Sequence, residues 1–466
     1  MATFDGADGD KYHVTDTVVE KLREATAGNK LVKIESVGEV VTAQGGAEAA
    51  RELGRAHKAA IVLWGWYART DKNTLITAHF ELLGQPGYQF LRRDKEVLNV
   101  AAPDFDTFKV QADLSEGMSY LVLMAGGLAN LEMGDFAGAV ESFTAAINYQ
   151  HAAPAGMVDP AVIYFHRATA NMRKGSVQAA LADYDEVIGR NPDFAATAHG
   201  ARGLARYYAC DLGGALSDYD LAIETGDDKT KATAIENRGL LRASRGELAE
   251  AVEDIKRAIE IRPSYAVSYV NLSNVLVERG DCGEAAVSAA KAVELAPLWW
   301  VTHSQRGDAH LCMGDNVAAL RNYDQALSLH PDDFLTLLNR GAIHSRMGES
   351  LESVADLTRA IDTFDACNYG REKLALAYSD RGYAYKDLHD TARSVADFTK
   401  AIELDPSDFD SYYGRGFAYV MSEKYGPALD DLRKALGMSC GKSHMDGAAA
   451  ESIRMIEESG FAAGGK

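Results

Sequence analysis

Residues 237–263 read NRGLLRASRGELAEAVEDIKRAIEIRP. The same arrangement returns as SQRGDAHLCMGDNVAALRNYDQALSLHP at 304–331 and as SDRGYAYKDLHDTARSVADFTKAIELDP at 379–406. Each stretch contains two short amphipathic segments with a polar turn between them, and each ends in proline. Because proline cannot continue a helix, it marks the end of the second segment. The sequence therefore predicts a repeated pair of helices.

Small residues recur outward from these stretches, at positions where two paired helices must approach closely. The first such position is held by Gly127, Ala168, Gly203, Gly239, Ser273, Gly307, Gly341, Gly382 and Gly416, which lie 34–41 residues apart. A second small position follows in every copy. A third follows in every copy except one, which has valine there. A larger residue usually stands between the second and the third. This register predicts nine copies over residues 115–440.

The pattern resembles the tetratricopeptide repeat, a unit of 34 residues with small residues at its helix contacts. The resemblance implies a mainly α protein, an α–α superhelical solenoid of about nine repeats plus a capping helix. We predict the repeats at 114–440, with the capping helix and tail at 441–466. Residues 1–113 are predicted to form a separate small α/β domain.

Arginine precedes the first small position in seven copies, and a side chain sixteen residues later matches it. Six of these partners are aspartate, while Arg306 is followed by Asn322. The two copies without the arginine carry serine in place of the acid. Arginine and acid therefore appear and vanish together, which predicts an ion pair across the two helices of each repeat. Exposed pairs contribute only about 0–1 kcal/mol, so we expect them to orient helices more than to stabilise them.

Residues 1–113 have a different rhythm. We predict helices at 15–27 and 47–58, strands near 3–4 and 31–41, a hairpin of strands at 59–70 and 73–83, and later strands at 96–101 and 105–114. This order is similar to the N-terminal domain of TolB and to FlgO-like lipoproteins. Most of those relatives are envelope proteins that act in protein assemblies.

Composition excludes several functions. The net charge is −20, mostly carried after residue 110, and nucleic-acid affinity depends heavily on Lys and Arg. We therefore expect no nucleic-acid partner. No stretch is long and apolar enough for a membrane helix, and no signal peptide is visible. The five cysteines stand singly, which predicts reduced thiols, no zinc site and a cytoplasmic protein. We interpret the chain as bacterial.

Two motifs resemble chemical sites but lack their context. Residues 437–443, GMSCGKS, have a phosphate loop's Gly-Lys-Ser, but the first glycine is one residue too close and a helix precedes it. His303 and His310 share a helix face, but no further ligands accompany them. We predict that the chain is not an enzyme and binds no cofactor or metal.

The concave face of a tetratricopeptide array is lined by positions of the first helix in each repeat. Transferred by this resemblance, the candidate groove residues are Phe165, Tyr207, Tyr208, Asn274, Asp308, Tyr383, Tyr413 and Phe417. Trp299 and Trp300 are a candidate contact for a partner or a second copy, although packing between repeats explains them as well. The lining is aromatic and acidic, which favours a peptide with apolar anchors and basic residues.

Two functions follow from these observations. The first is a non-enzymatic scaffold or adaptor that binds a polypeptide in the groove of the solenoid. The alternative is a sensor or regulatory arm of a larger bacterial signalling or defence ATPase assembly. The sequence identifies neither the partner nor the oligomeric state.

Overall fold

The structure is a computed structural model. It describes residues 5–6, 15–16, 18–20, 23, 34–42, 44, 46–59, 61–69, 74–82, 89–91, 97–99, 108–152, 160–365, 369–439 and 446–458. The chain divides into two compact units. One contains residues 1–91 and 97–263, and the other contains residues 92–96 and 264–466.

The first unit contains four helix pairs within its described residues. They are α2 (Leu114–Glu132) with α3 (Phe136–Ala152), α4 (Pro160–Lys174) with α5 (Val177–Arg190), α6 (Ala195–Tyr208) with α7 (Leu212–Thr225), and α8 (Asp228–Ser244) with α9 (Leu248–Ile261). Each pair packs within itself and, inside this unit, on the pair that follows. The predicted helical repeat is confirmed here.

The second unit continues the pattern with five pairs in the part of it that is described. They are α10 (Ala266–Arg279) with α11 (Cys282–Leu295), α12 (Trp300–Cys312) with α13 (Asn316–Leu329), α14 (Phe334–Arg346) with α15 (Ser350–Thr363), α16 (Arg371–Asp387) with α17 (Thr391–Leu404), and α18 (Phe409–Met421) with α19 (Tyr425–Ser439). A final helix, α20 (Asp446–Glu458), packs on α19.

The turns between paired helices follow from their sequence. Gly314 has a φ of +77°, a conformation that glycine adopts without steric cost, and it follows the end of α12. The carboxylate of Asp315 then accepts a hydrogen bond from the amide of Ala318 at 3.0 Å, which caps the start of α13. Gly-Asp in this order thus ends one helix and begins the next.

The small and bulky positions form the contact within each pair. Tyr184, Tyr219, Tyr323, Phe143 and Phe398 are fully buried, and each lies on the second helix of its pair. A methyl group added to Gly307 would overlap the ring of Tyr323 across the pair. The glycine is therefore required because the ring occupies the space that a side chain would need.

The N-terminal residues form a four-stranded sheet. Strand β1 (Asp5–Gly6) pairs in parallel with β2 (Ile61–Arg69), whereas β3 (Thr74–Leu82) pairs antiparallel with β2. A separate antiparallel pair is formed by β4 (Gln89–Leu91) and β5 (Val97–Asn99). The last strand, β6 (Phe108–Asp113), pairs antiparallel with β3, so the order of the sheet is β1-β2-β3-β6.

Helix α1 (Gly46–Ala56) packs on β2 of this sheet. Trp64 on β2 is 2% exposed and clusters with Val41, Ala50 and Val62. The predicted strand over residues 31–41 is wrong for 34–39, which have no regular secondary structure. Gly38 has a φ of +70°, which interrupts an extended conformation. Most of the predicted helix at 15–27 lies outside the described residues.

The predicted arginine–aspartate pairs are confirmed in all six repeats that carry both residues. In each, Nε and Nη2 of the arginine donate to the two carboxylate oxygens at 2.6–3.0 Å. The pairs are Arg167–Asp183, Arg202–Asp218, Arg238–Asp254, Arg340–Asp356, Arg381–Asp397 and Arg415–Asp431. The acids are buried, so the expectation of exposed pairs is wrong.

The same arginines also reach the preceding helix pair. Nη1 of Arg202 donates to Asp185 at 2.6 Å, and Nη1 of Arg340 donates to Asp324 at 2.7 Å. The acceptor lies two residues after the acid position of the preceding repeat, and it is threonine or aspartate in all six cases. The remaining contacts are Arg167–Thr144, Arg238–Asp220, Arg381–Thr358 and Arg415–Thr399. Each arginine therefore joins three helices.

One cysteine prediction is wrong. Cys282 and Cys312 form a disulfide with their Cα atoms 5.4 Å apart. They are 30 residues apart in sequence, but one begins α11 and the other ends α12, so the repeat geometry brings them together. The cytoplasmic location was predicted from reduced thiols, and the disulfide removes that argument. The location therefore stays a prediction. Cys210 is a free, exposed cysteine.

Candidate peptide-binding face

Three candidate groove residues lie in the first unit, and two of them are inaccessible there. Phe165 is fully buried against Tyr184, with ring centroids 5.6 Å apart. Tyr207 is 6% exposed, whereas its neighbour Tyr208 is 38% exposed. A ligand could therefore touch Tyr208, but Phe165 and Tyr207 serve the core.

The candidate Asp308, in the middle repeats, engages the protein itself. Asp308 accepts hydrogen bonds from the Tyr323 hydroxyl at 2.6 Å and from the Asn339 amide at 2.9 Å. Burial, followed by the nearby Asp308 charge, raises the pKa of Tyr323 well above its usual range. The hydrogen bonds of Asp308 thus tie α12, α13 and α14 together. The other candidate in the middle repeats, Asn274, is half-buried.

Trp299 and Trp300 are both half-buried. The ring of Trp300 stacks on His330 with centroids 4.9 Å apart, so it packs against the end of the second helix of its own pair. Leu298, directly before them, is 83% exposed. A partner contact at this tryptophan pair stays a prediction.

The remaining three candidates come together in the last two helix pairs. Tyr413 and Phe417 lie on one face of α18 with ring centroids 4.7 Å apart, and Phe409 stacks on Tyr413 at 6.0 Å. All three are half-buried. We call Phe409, Tyr413 and Phe417 the α18 ridge. Met421 continues the same spacing of four residues and is 42% exposed.

Tyr383 on α16 connects this ridge to the neighbouring pair. Its hydroxyl donates to the backbone carbonyl of Asp410 at 2.8 Å, and its ring meets the buried Phe398 edge-on at 4.9 Å. Burial raises the pKa of Tyr383, and the charge of Asp410 raises it further. Tyr383 is therefore a hydroxyl donor at physiological pH, fixed against the start of α18.

Acidic side chains accompany the ridge. Asp408 caps α18 by accepting from the amide of Asp410 at 3.2 Å and from the hydroxyl of Ser411. Asp380 on α16 is half-buried, and burial is the main cause that raises its pKa to about 7. The charges of Asp408 and Asp410 raise it further, while Arg346 opposes the shift. We call Asp380, Asp408 and Asp410 the acidic cluster.

Sequence reasoning found Tyr413 and Phe417 but missed Phe409, Met421 and the acidic cluster. Phe409 and Met421 extend the spacing of Tyr413 and Phe417 at every fourth residue, which is the signal of a single helix face. That spacing could have identified the ridge. Asp380 had no such signal, because its neighbourhood depends on how the start of α18 meets α16.

Other predicted sites can be located only in part. His303 Nε2 lies 2.9 Å from the carbonyl oxygen of Pro297. Gly437 lies inside α19, whereas residues 440–445 of the phosphate-loop resemblance fall outside the described part of the chain. Among the described residues, no three His, Cys, Asp or Glu side chains group as metal ligands. None of the described helices is long and apolar enough to span a membrane.

Comparison with protein families gives three matches to tetratricopeptide-repeat models. They cover residues 124–193, 232–265 and 382–422. None of these segments lies in residues 1–113, so the resemblance of that part to TolB and FlgO-like domains stays a prediction. No curated protein sequence matches the chain.

Solved structures show a similar helical arrangement at low identity. The APC/C hetero-tetramer Cut9–Hcn1 has 13% identity, covers 73% of this chain and 76% of its own, and gives a TM-score of 0.48. YrrB, a TPR protein with an unusual peptide-binding site, has 20% identity, coverage of 43% and 98%, and a TM-score of 0.36. MamA from Desulfovibrio magneticus RS-1 has 22% identity, coverage of 38% and 97%, and a TM-score of 0.34. At such values these likenesses say nothing about the function of this chain.

Proposed function

Since three segments of the chain are tetratricopeptide repeats, we propose that it is a non-enzymatic scaffold that binds a polypeptide partner. We further propose that the binding surface is the face formed by Tyr383 and the α18 ridge. The observation that carries this choice is a run of partly exposed aromatic side chains on one helix face, held beside the acidic cluster.

The chemistry of this face favours one kind of ligand. Aromatic rings provide large, rigid contact areas at low entropic cost, which makes them frequent anchors in interfaces. The adjacent carboxylates disfavour acidic peptides and attract basic ones. An extended or helical peptide with apolar anchors and basic residues satisfies both features. The alternative, a regulatory arm of an ATPase assembly, stays a prediction from the sequence.

Peptide selection tests the proposal, because it requires no identified partner. A displayed random-peptide library is selected on the full chain, and the affinities of the enriched peptides are measured by fluorescence anisotropy. The triple variant Tyr383→Ala, Tyr413→Ala, Phe417→Ala should weaken binding by more than about tenfold, since it removes the apolar anchors.

A matched control removes exposed apolar side chains elsewhere in the same unit. Val287, Val317 and Leu351 are 58–73% exposed, and their triple alanine variant should bind the peptides as the unaltered chain does. Circular dichroism checks that both variants fold. Equal affinity of the unaltered chain and the aromatic variant would exclude this face as the site.

A further inference from the structure

We propose that the disulfide between Cys282 and Cys312 is a redox-controlled joint of the solenoid. Its reduction by a dithiol loosens the contact between the fifth helix pair, α10 with α11, and the sixth, α12 with α13. Oxidation restores that contact. The inference concerns a different part of the second unit from the proposed binding face, and it does not depend on the proposed function.

Arginine connects consecutive helix pairs at the other junctions of the second unit. Nη1 of Arg340, Arg381 and Arg415 donates to a side-chain oxygen of the preceding pair at 2.7–3.1 Å. We call each of these contacts an arginine bridge. The guanidinium keeps its charge at any physiological pH and has no thiol chemistry. These three bridges therefore do not depend on redox conditions.

The junction between α11 and α12 does not have the residues for such a bridge. Arg306 is present, but Asn322 and Ala290 hold the positions of its two partners. The amide of Asn322 instead donates within its own helix at 2.7 Å, and alanine has no side-chain acceptor. Gln305 donates to Ser273 from α12 to α10, but at 3.5 Å this hydrogen bond is weak. The disulfide thus lies at the junction where the arginine bridge is missing.

The position of the disulfide shows what it restrains. Cys282 is the first residue of α11 and Cys312 is the last residue of α12, so the bond closes a loop that contains both helices. A closed loop has fewer open conformations, and the bond therefore opposes local unfolding of α11 and α12. The packing of α11 on α12 remains after reduction, so we expect a looser junction and not a separated one.

A reductant can reach this disulfide in the folded chain. Both cysteines are half-buried, so neither is enclosed in the core. Gly283, beside Cys282, is exposed, and a methyl group added there would meet no atom within 4 Å. The approach to the disulfide from this side is therefore open.

The two sulfurs differ in their position on a helix, which sets the direction of the exchange. The start of α11 stabilises a thiolate at Cys282, whereas the end of α12 disfavours one at Cys312. The first thiolate of the dithiol therefore attacks Sγ of Cys312, and the Cys282 thiolate leaves. The second thiol of the reductant attacks the mixed disulfide and releases Cys312. The protein gains two electrons and two protons as two thiols, and the dithiol becomes a disulfide.

Hydrogen exchange with mass spectrometry on the full, native chain tests this joint. The chain is measured oxidised, after treatment with dithiothreitol, and after reoxidation with oxidised glutathione, and thiol labelling follows the state of both cysteines. We expect reduction to accelerate exchange in α11 and α12 by at least about tenfold and to leave α16 to α19 unchanged. Reoxidation should restore the original rates. Cys282→Ser, Cys312→Ser is the control, which should not respond to dithiothreitol.

A second variant tests whether the disulfide takes the place of the arginine bridge. Asn322→Asp with Ala290→Thr gives Arg306 the partners that the other arginines have. Reduction should then accelerate exchange by a smaller factor, because the restored bridge holds the junction. A disulfide that dithiothreitol leaves intact in the native chain, or exchange that reduction leaves unchanged, would overturn the redox-controlled joint. Equal acceleration with and without the restored bridge would show that the disulfide does not replace it.

Discussion

At the residue scale, the arginine–aspartate pair is the most regular device in the molecule. Its two parallel hydrogen bonds match the planar guanidinium to a carboxylate, which fixes both distance and orientation. The carboxylate is buried and the arginine is half-buried. Such a pair should therefore contribute more than an exposed surface pair.

A double-mutant cycle on Arg415 and Asp431 measures that contribution. Arg415 is the cation that pairs with Asp431. Asp254, by contrast, is also contacted by a second arginine, Arg242, which could take over if the first were truncated. The Arg415–Asp431 pair is therefore the simpler one to measure. We expect a coupling energy of about 1–3 kcal/mol from urea unfolding of the four proteins.

The control is a second double-mutant cycle, on Arg245 and Glu247, whose side chains are 43% and 36% exposed. That exposed pair should couple by less than about 1 kcal/mol. Equal coupling in the two cycles would mean that burial of the acid adds nothing.

At the scale of a helix pair, the contact depends on the absence of a side chain at one position. Gly307→Ala should destabilise the second unit by about 1–3 kcal/mol, because the new methyl group overlaps the ring of Tyr323 and forces a shift. Thermal and urea unfolding report the change.

Gly437→Ala serves as the opposite case. A methyl group there meets no atom within 4 Å, and the position is inside α19. Alanine should therefore leave the stability unchanged or raise it by up to about 1 kcal/mol. Destabilisation by both substitutions would show that ring overlap is not the reason for the glycine.

Sequence reasoning succeeds for features that are local or that recur along the array. These are the Gly-Asp turns, the prolines that end second helices, and the contact between small and bulky residues. Because each feature recurs, an error in one repeat is corrected by the others. The pairing of Arg415 with Asp431 was predictable because both residues change together along the chain. Phe165 was misassigned as a groove residue because transfer by position ignores how a particular neighbour, here Tyr184, fills the space.

Sequence reasoning fails where the outcome depends on several elements at once. The disulfide joins the start of α11 to the end of α12, and no cysteine spacing revealed it. The charges of Asp408 and Asp410 act on Asp380 from the start of α18, which no pattern along α16 predicts. Strand prediction at 31–41 failed at Gly38, where one backbone angle decides.

At the scale of the whole molecule, stability in a repeat array is a sum over neighbours, so a local change should stay local. The disulfide joins cysteines 30 residues apart, and its removal should cost about 3–4 kcal/mol. Cys282→Ser, Cys312→Ser should therefore lower amide protection in α11 and α12 and leave α4 to α7 unchanged, as measured by hydrogen exchange with mass spectrometry.

Thiol labelling in denaturant, before and after addition of reductant, provides the control for that experiment. Peptide mass spectrometry after thiol labelling should find Cys210 labelled before reduction, whereas Cys282 and Cys312 should be labelled only after reduction. Loss of protection spread evenly over both units, or labelling of Cys282 and Cys312 before reduction, would contradict the prediction.

The arginines that join three helices also restrict the order in which repeats can follow one another. Each needs an oxygen-bearing side chain two residues after the acid position of the repeat before it, as Thr358 provides for Arg381. In the fourth repeat, formed by α8 and α9, Lys256 occupies this position two residues after the acid. The fifth repeat, formed by α10 and α11, has Leu272 where others have arginine. A shuffled chain that put an arginine-bearing repeat after the fourth would set two cations side by side. The repeats are therefore not interchangeable, although their sequences look alike.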